Sequence, residues 1–411
     1  MIETGGVIAV AVMVMNVGTY GFQLVAARLV GLDQYGSIAR LLAIQLVLSV
    51  LQLGLQATAA RRIAANPDHL PEVEHNILAL GWRASWALTL VMLAASPILV
   101  SAQHLNSIYP ALLVAIGALP MNVMGAQAGI LQGERRWAEL SLVYLAAGVP
   151  RLVLGVIALA IRPTEGAALA AVAVGWVIPC VVGWYVLRRG RNSRPARTDR
   201  PQLREIGTEV AHGALALLAF FALSNIDIVM SSHILGKHGS GLYAGGLILT
   251  KAVLFMPQFV SIVAFPAMST TARRRTVLLR SLMLVGLVGV ICVAGALLLT
   301  DVAMIFVGGE KKYGAIHPDL WQFAVLGTLL AALQLLIYSV LARQSRRATL
   351  LLWVAVLVVA VVGWWHVTSL TGLLALMIVT DAVLVAVLVG LSLWTMREDD
   401  QATEAAAAPV A

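Results

Sequence analysis

Residues 41–60 read LLAIQLVLSVLQLGLQATAA, with Arg40 before them and Arg61 and Arg62 after. Twenty residues pass without a charge, and a helix needs about 20 mostly apolar residues to cross the hydrocarbon of a bilayer. Eleven other stretches have the same character. With this one they lie at roughly 5–27, 38–60, 77–100, 107–131, 138–161, 165–187, 208–232, 241–268, 277–300, 318–342, 348–368 and 370–396. A β-barrel would show short alternating segments instead, so every span is read as an α-helix. The expected class is an all-α polytopic membrane protein of about twelve transmembrane helices.

Composition agrees. The chain of 411 residues is 60% hydrophobic and 12% charged, with mean hydropathy +0.90. A soluble protein carries about 25% charged residues, so too little polar side chain is present to cover a globule. That excludes a soluble enzyme, a disordered chain and a protein with a single anchor. The net charge of +8 would suggest nucleic acid in a soluble chain. Here the basic residues cluster between apolar runs, and no nucleic-acid partner is expected. Cys180 and Cys292 lie inside apolar runs and do not make a disulfide framework or a metal site. Met1–Gly6 lacks a basic n-region, and the apolar run after it is too long for a signal peptide, so it is read as a retained first span.

Twelve spans put both termini on one side. The connections on that side carry Arg61, Arg62, Arg135, Arg136, the run from Arg188 to Arg204, Arg273 to Arg280, Arg343, Arg346, Arg347 and Arg397. The other side has Arg28, Arg40, Arg162, Lys237, Lys311 and Lys312, six against nineteen. The positive-inside rule then makes both termini cytoplasmic, in a multi-pass protein of the cytoplasmic (inner) membrane. The opposite loops are short, the longest running from about Asp301 to Ile316. They leave no room for the outer domains with which membrane glycosyltransferases and polymerases handle sugars.

The chain also repeats itself. LVGLDQYGSIA (Leu29–Ala39) and ILGKHGSGLYA (Ile234–Ala244) align at a shift of 205, with Gly31 on Gly236, Gly36 on Gly241 and Ala39 on Ala244. Each segment joins the first and second helix of a six-helix half. Six is even, so the halves share one orientation and form a parallel repeat. The expected organisation is a lobe at 1–187, a basic cytoplasmic linker at 188–207 facing anionic lipid, a second lobe at 208–396 and a tail at 397–411.

A polar stripe on a helix in lipid must face a partner or water. Span 1 carries Asn16, Tyr20 and Gln23; span 2 carries Gln45, Ser49, Gln52 and Gln56 on one narrow face. Span 7 has Ser224, Asn225, Asp227 and Ser231, and span 8 has Lys251 and Gln258. Hydrogen bonding between packed helices explains any one of these. Their recurrence at repeat-related places favours a shared hydrated cavity. Ionisable groups in the hydrocarbon cost about 2.5–3.5 kcal/mol each. Lys251, Arg151 beside Pro150, and Arg83 nearer the interface are therefore candidate cavity cations. Asp227 and Asp381 are candidates either for pairing with a buried cation or for coupling transport to an ion gradient. Pro120, Pro150, Pro179 and Pro257 offer breaks in spans 4, 5, 6 and 8. There is no phosphate-binding glycine loop, no metal-spaced cluster and no nucleophile elbow. His212, His233, His238 and His366 read as interfacial residues, and no cofactor, metal or catalytic residue is expected.

The end of the first span, AARLVGLDQYG, followed by a long apolar helix and ARR, resembles the Wzx-like polysaccharide-unit flippases. These belong to the multidrug, oligosaccharidyl-lipid and polysaccharide exporter superfamily. SNIDIVMSSHILGKHGSGLYAGGLILTKAVLFMPQFVSIVAFP (Ser224–Pro266) resembles spans 7 and 8 of that family more closely, with Asn225, Asp227, the GLYA element at Gly241–Ala244, Lys251 and Pro257. The resemblance implies a MATE-like fold of two six-helix lobes arranged as a V around a central cavity. It also implies translocation of a polyprenyl-diphosphate-linked glycan from the inner to the outer leaflet. Cavity cations would offset the diphosphate, and the polar stripes would meet sugar hydroxyls. Membrane lipids, and a polysaccharide polymerase or glycosyltransferases, would be its partners. The two extra C-terminal helices of lipid II flippases are absent, and their span 1 cations appear only as Arg28. Two alternatives stay open. One is a multidrug extruder of the same superfamily, and the other is a scaffold of a glycan-assembly complex that transports nothing.

Overall fold

The computed structural model describes residues 2–65, 70–189, 200–256, 274–343 and 346–407. Every regular element among them is helical, as lipid demands of backbone amides that have no water to bond. In chain order the helices are α1 (Ile2–Leu29), α2 (Leu32–Ala65), α3 (Leu70–Ala102), α4 (Tyr109–Gly133), α5 (Trp137–Ile161) and α6 (Glu165–Arg188). Then follow α7 (Arg200–Phe255), α8 (Arg274–Leu298), α9 (Thr300–Val307), α10 (Glu310–Tyr313), a 3₁₀ turn (Gly314–Asp319), α11 (Leu320–Arg343), α12 (Arg346–His366) and α13 (Leu370–Ala407).

Local chemistry sets several of these ends. Thr164 caps α6, its hydroxyl accepting from the Ala167 amide at 3.3 Å, which satisfies one of the orphan donors of a helix start. Pro110 stands in the first turn of α4, where no amide is needed. Pro120, Pro150 and Pro179 lie inside α4, α5 and α6, while Pro257 is outside the described residues. The segment expected as the longest loop, about Asp301 to Ile316, is instead filled by α9, α10 and the 3₁₀ turn.

Among the described residues, eleven helical stretches are long and apolar enough to cross a membrane, and the chain is a multi-pass membrane protein. The expected spans 7 and 8 share one of the eleven, the 39 residues Leu217–Phe255. Straight, that stretch would be about 58 Å long, nearly twice the hydrocarbon thickness of about 30 Å. It is not straight. Gly236 sits at φ 69° and ψ −179°, a conformation that needs glycine, and divides α7 into two arms of spanning length.

The chain forms two compact units. One comprises residues 1–221 with 231–245, and the other comprises 222–230 with 246–411. In the first unit α1 packs on α5: the Phe22 ring occupies the space where a side chain at Gly155 would stand, and Gly18 faces the Gly148 carbonyl. α2, α4 and α5 pack together around Leu55, Ile63, Met124, Ile130, Leu140 and Val143. In the second unit Val253, Ala296 and Ala324 form a small core, and the Thr250 hydroxyl donates to the Phe323 carbonyl at 2.9 Å. Small residues at such contacts are expected where lipid removes the hydrophobic drive between helices and close packing must replace it. The opposite faces, with Met13, Leu90, Ile98, Met283 and Val290, are exposed apolar surface for lipid.

Candidate functional site

The polar face of α2 turns toward its neighbours. Gln45 and Gln52 are buried, 4% and 9% exposed, and glycines of α4 make room for them. A Cβ on Gly117 would lie 3.4 Å from Gln45 Nε2, and one on Gly125 would overlap Gln52. Gln56 donates from Nε2 to Gln132 Oε1 of α4 at 3.0 Å and to the Tyr144 hydroxyl of α5 at 2.7 Å. On α1, Asn16, Tyr20 and Gln23 are half-buried, and the Tyr20 hydroxyl has no hydrogen-bond partner among the described residues.

Arg151 is the most unusual of the expected cations. It sits in α5 one residue after Pro150 and is 7% exposed. Its guanidinium carbon stands 5.7 Å from the ring centroids of both Phe22 and Trp176. Gly175 of α6 lets the helices close on its stem, since a Cβ there would lie 3.3 Å from the Arg151 Cβ. Arg151 Nε and Trp176 Nε1 have no acceptor among the described residues, and no carboxylate pairs with the guanidinium there. Two aromatic faces offset part of its charge, about 0.5–2 kcal/mol each. A full negative charge would offset far more.

The second unit carries the acidic side. Asp227 and Asp381 are 1% and 0% exposed, within electrostatic reach of each other. Both oxygens of Asp381 lack a hydrogen-bond partner among the described residues. A buried carboxylate placed like Asp381 calls for a positive counterpart, either a metal cation or a proton. Asn225 is buried with its amide donating to Ser224 Oγ at 3.1 Å, and Lys251 is half-buried. Arg83 lies exposed on α3. Gln258 is outside the described residues. Among those residues, no group of three His, Cys, Asp or Glu is placed to hold a metal ion.

Two clusters escape the sequence reading. Arg40 counts there as an outer-side charge, yet it is 0% exposed. It donates from Nη1 to Ser240 Oγ at 2.6 Å, and from Nη2 to Ser37 Oγ at 3.2 Å and the Gln103 carbonyl at 3.0 Å. At the other end of α2, Arg62 pairs with Glu209 at 2.7 Å and with Glu205 at 3.1 Å, and Arg61 also meets Glu209. The signals existed: Ser37 precedes Arg40 by three residues, and Glu205 and Glu209 stand one helical turn apart after a basic run.

The geometry has counterparts among known proteins. Residues 3–272 match the model of a family described as polysaccharide biosynthesis protein. No curated protein sequence matches the chain. Among solved structures, an inward-facing multidrug resistance MATE family transporter of the MOP superfamily superposes with TM-score 0.79 at 16% identity, covering 97% of this chain and 100% of that one. A eukaryotic MATE transporter gives 0.70 at 13%, covering 95% of each chain. A MOP superfamily transporter from Pyrococcus furiosus, described as having a binding pocket of reverse polarity, gives 0.66 at 17%, again covering 95% of each. At these identities the likeness establishes the fold, which is the MATE fold.

Proposed function

The chain belongs to the polysaccharide biosynthesis protein family, whose fold is that of membrane transporters, and from that premise we propose that it is an alternating-access flippase for a polyprenyl-diphosphate-linked glycan. The cargo moves from the inner to the outer leaflet of the cytoplasmic membrane. Both termini lie in the cytoplasm, in keeping with nineteen basic residues on that side against six on the other. Residues 1–187 and 208–396 act as two six-helix halves joined by the basic linker at 188–207. A polymerase or glycosyltransferases supply and consume the lipid-linked unit.

Arg151 carries the reading. A guanidinium 7% exposed, stacked between Phe22 and Trp176 and unmatched by a carboxylate among the described residues, suits a protein that handles an anion. A diphosphate bridge between prenyl tail and sugar provides that charge. In the first unit Asn16, Tyr20 and Gln23 serve the sugar hydroxyls and Arg83 adds a cation; in the second Lys251 is the cation, with Asn225 and Gln258 for the hydroxyls. Gln45, Gln52 and Gln56, which pack against α4 and α5, hold the first half together beside them. Asp227 and Asp381 take the coupling ion.

A second reading, extrusion of organic cations, draws on that same acidic pair. The deciding experiment is lipid extraction and mass spectrometry from cells lacking the protein and complemented with wild type or Arg151→Gln. Accumulation of a prenyl-diphosphate glycan in the deletion, reversed by wild type but not by the variant, supports the flippase. Sensitivity to cationic drugs without such accumulation moves the chain to the extrusion branch.

A further inference from the structure

The two copies of the sequence repeat meet in space. Gly36 of the first and Gly241 of the second approach so closely that a Cβ on Gly36 would lie 3.0 Å from the Gly241 amide nitrogen, and one on Gly241 would overlap the Leu32 carbonyl. Arg40 lies directly beneath, its Nη1 3.2 Å from that same Gly36 position. It is the largest fully buried side chain in the protein's described part. Its shortest bond, 2.6 Å, crosses from the first repeat to Ser240 of the second, and Ser240 bonds in turn to Ser231 at 2.6 Å. At the rim Lys237 donates to Asn106 at 2.8 Å, and His238 stands 3.7 Å from Asp33. One seam thus joins Ser231–Gly245 to the first-half helices, closed by one buried guanidinium.

A carboxylate waits nearby. Glu165, the first residue of α6, is 8% exposed and within electrostatic reach of both Arg40 and Lys237. Its Oε2 has no hydrogen-bond partner among the described residues. Arg40 is not in ion-pair contact with it there. A buried arginine normally takes a carboxylate where one is within reach, because the charge-assisted bond is the stronger one. Here it spends its best donor on a neutral hydroxyl of the other repeat.

We propose that Arg40 is a two-position latch of the outer gate: it holds the seam shut through Ser240 and, when Ser240 withdraws, turns to Glu165 and so stabilises the open form. In the closed position Glu165 has Ser37 as a hydrogen-bond partner and only its Oε2 is left over; in the open position the guanidinium meets that oxygen within the first half. Both states then have a partner for the guanidinium, and neither leaves it bare in a low-dielectric setting. The latch rests on the alternating-access part of the proposed function and is independent of the cargo.

The test is a distance measurement in lipid nanodiscs, with no substrate present. Spin labels go on Gly31→Cys, where nothing lies within 4 Å of a new side chain, and on His238→Cys, with Cys180 and Cys292 replaced by alanine. Wild type shows a dominant short distance. Arg40→Gln raises the long-distance population by about tenfold, the scale of one charge-assisted hydrogen bond, and Ser240→Ala raises it less. Glu165→Gln moves it the opposite way, because the open position loses its acceptor. A residue that merely braces the fold would not give opposite signs. An unchanged distribution in Arg40→Gln overturns the latch; if that variant fails to insert, an unchanged distribution in Ser240→Ala does so. Opposite shifts without glycan accumulation in deletion cells would leave the latch standing and remove the cargo.

Discussion

Gly36 and Gly241 stand 205 residues apart in the sequence and pack backbone to backbone, with 3.0 Å from the site of a Cβ on one to the amide nitrogen of the other. A repeat that is only weakly similar as text becomes a physical contact between its own two copies. The glycines at those two positions are needed because each backbone occupies the volume a side chain would use.

Gly241→Ala is therefore expected to lower thermal stability. The new methyl overlaps the Leu32 carbonyl, which is backbone and cannot rotate away, and overpacking of this kind costs about 1–3 kcal/mol. Gly286→Ala has nothing within 4 Å and should be neutral or slightly stabilising through helix propensity. Fluorescence-monitored melting in detergent, using the native tryptophans, compares the two. Equal melting temperatures would contradict the close approach.

Arg151→Met should be more stable than wild type and inactive. It removes an unmatched buried charge while keeping an unbranched stem between Phe22 and Trp176, and replacing buried charge by apolar volume gains about 1 kcal/mol or more. Melting temperature and glycan accumulation, measured on the same variant, check both halves. A less stable Arg151→Met would show that the cation holds the helices together.

Gln56→Leu is expected to cost about 1–2 kcal/mol, since it leaves the Gln132 carbonyl and the Tyr144 hydroxyl without the bonds seen at 3.0 Å and 2.7 Å. Tyr144→Phe should cost less, because Gln56 keeps its bond to Gln132. Thermal melts of the two single variants and the double variant give the coupling directly.

Asp381→Asn should abolish the dependence of transport on an imposed ion gradient while leaving insertion intact. The substitution removes a buried carboxylate whose two oxygens lack a hydrogen-bond partner among the described residues and which lies within electrostatic reach of Asp227. Uptake in proteoliposomes under a proton gradient, a sodium gradient or neither separates the ions. Unaltered gradient dependence in Asp381→Asn would place the coupling site elsewhere.

Much of the fold is legible from sequence, because an apolar run of spanning length has one solution in lipid. The break between spans 7 and 8 is legible too, through Gly236 in its repeat. The direction in which a polar stripe faces is not. Gln45, Gln52 and Gln56 share one face of α2, and that face would suit water, sugar or a neighbouring helix equally well. What decides the matter is Gly117 and Gly125 on α4, which bring that helix close enough to receive the glutamines. Arg151 stands out in the sequence as a deep cation, but its aromatic walls come from α1 and α6 and share no local pattern with it. Arg40 was hidden by position: eight residues into α2 it looks like a boundary charge, and its partner Ser240 lies 200 residues onward. Hydropathy finds where a chain crosses the membrane, and only packing reveals which charges are sealed inside.

The break in α7 has a further consequence, for synthesis. Residues 222–230 belong with the later part of the chain, residues 231–245 with the earlier part, and the chain then returns at Gly246. A ribosome that has released the first 221 residues has therefore delivered an incomplete body, lacking the strip that carries Ser240 and Gly241. Until that strip emerges, Arg40 is without the Ser240 hydroxyl, the acceptor of its shortest bond. A chain cut at the basic linker could not yield a finished first half, whatever its length suggests.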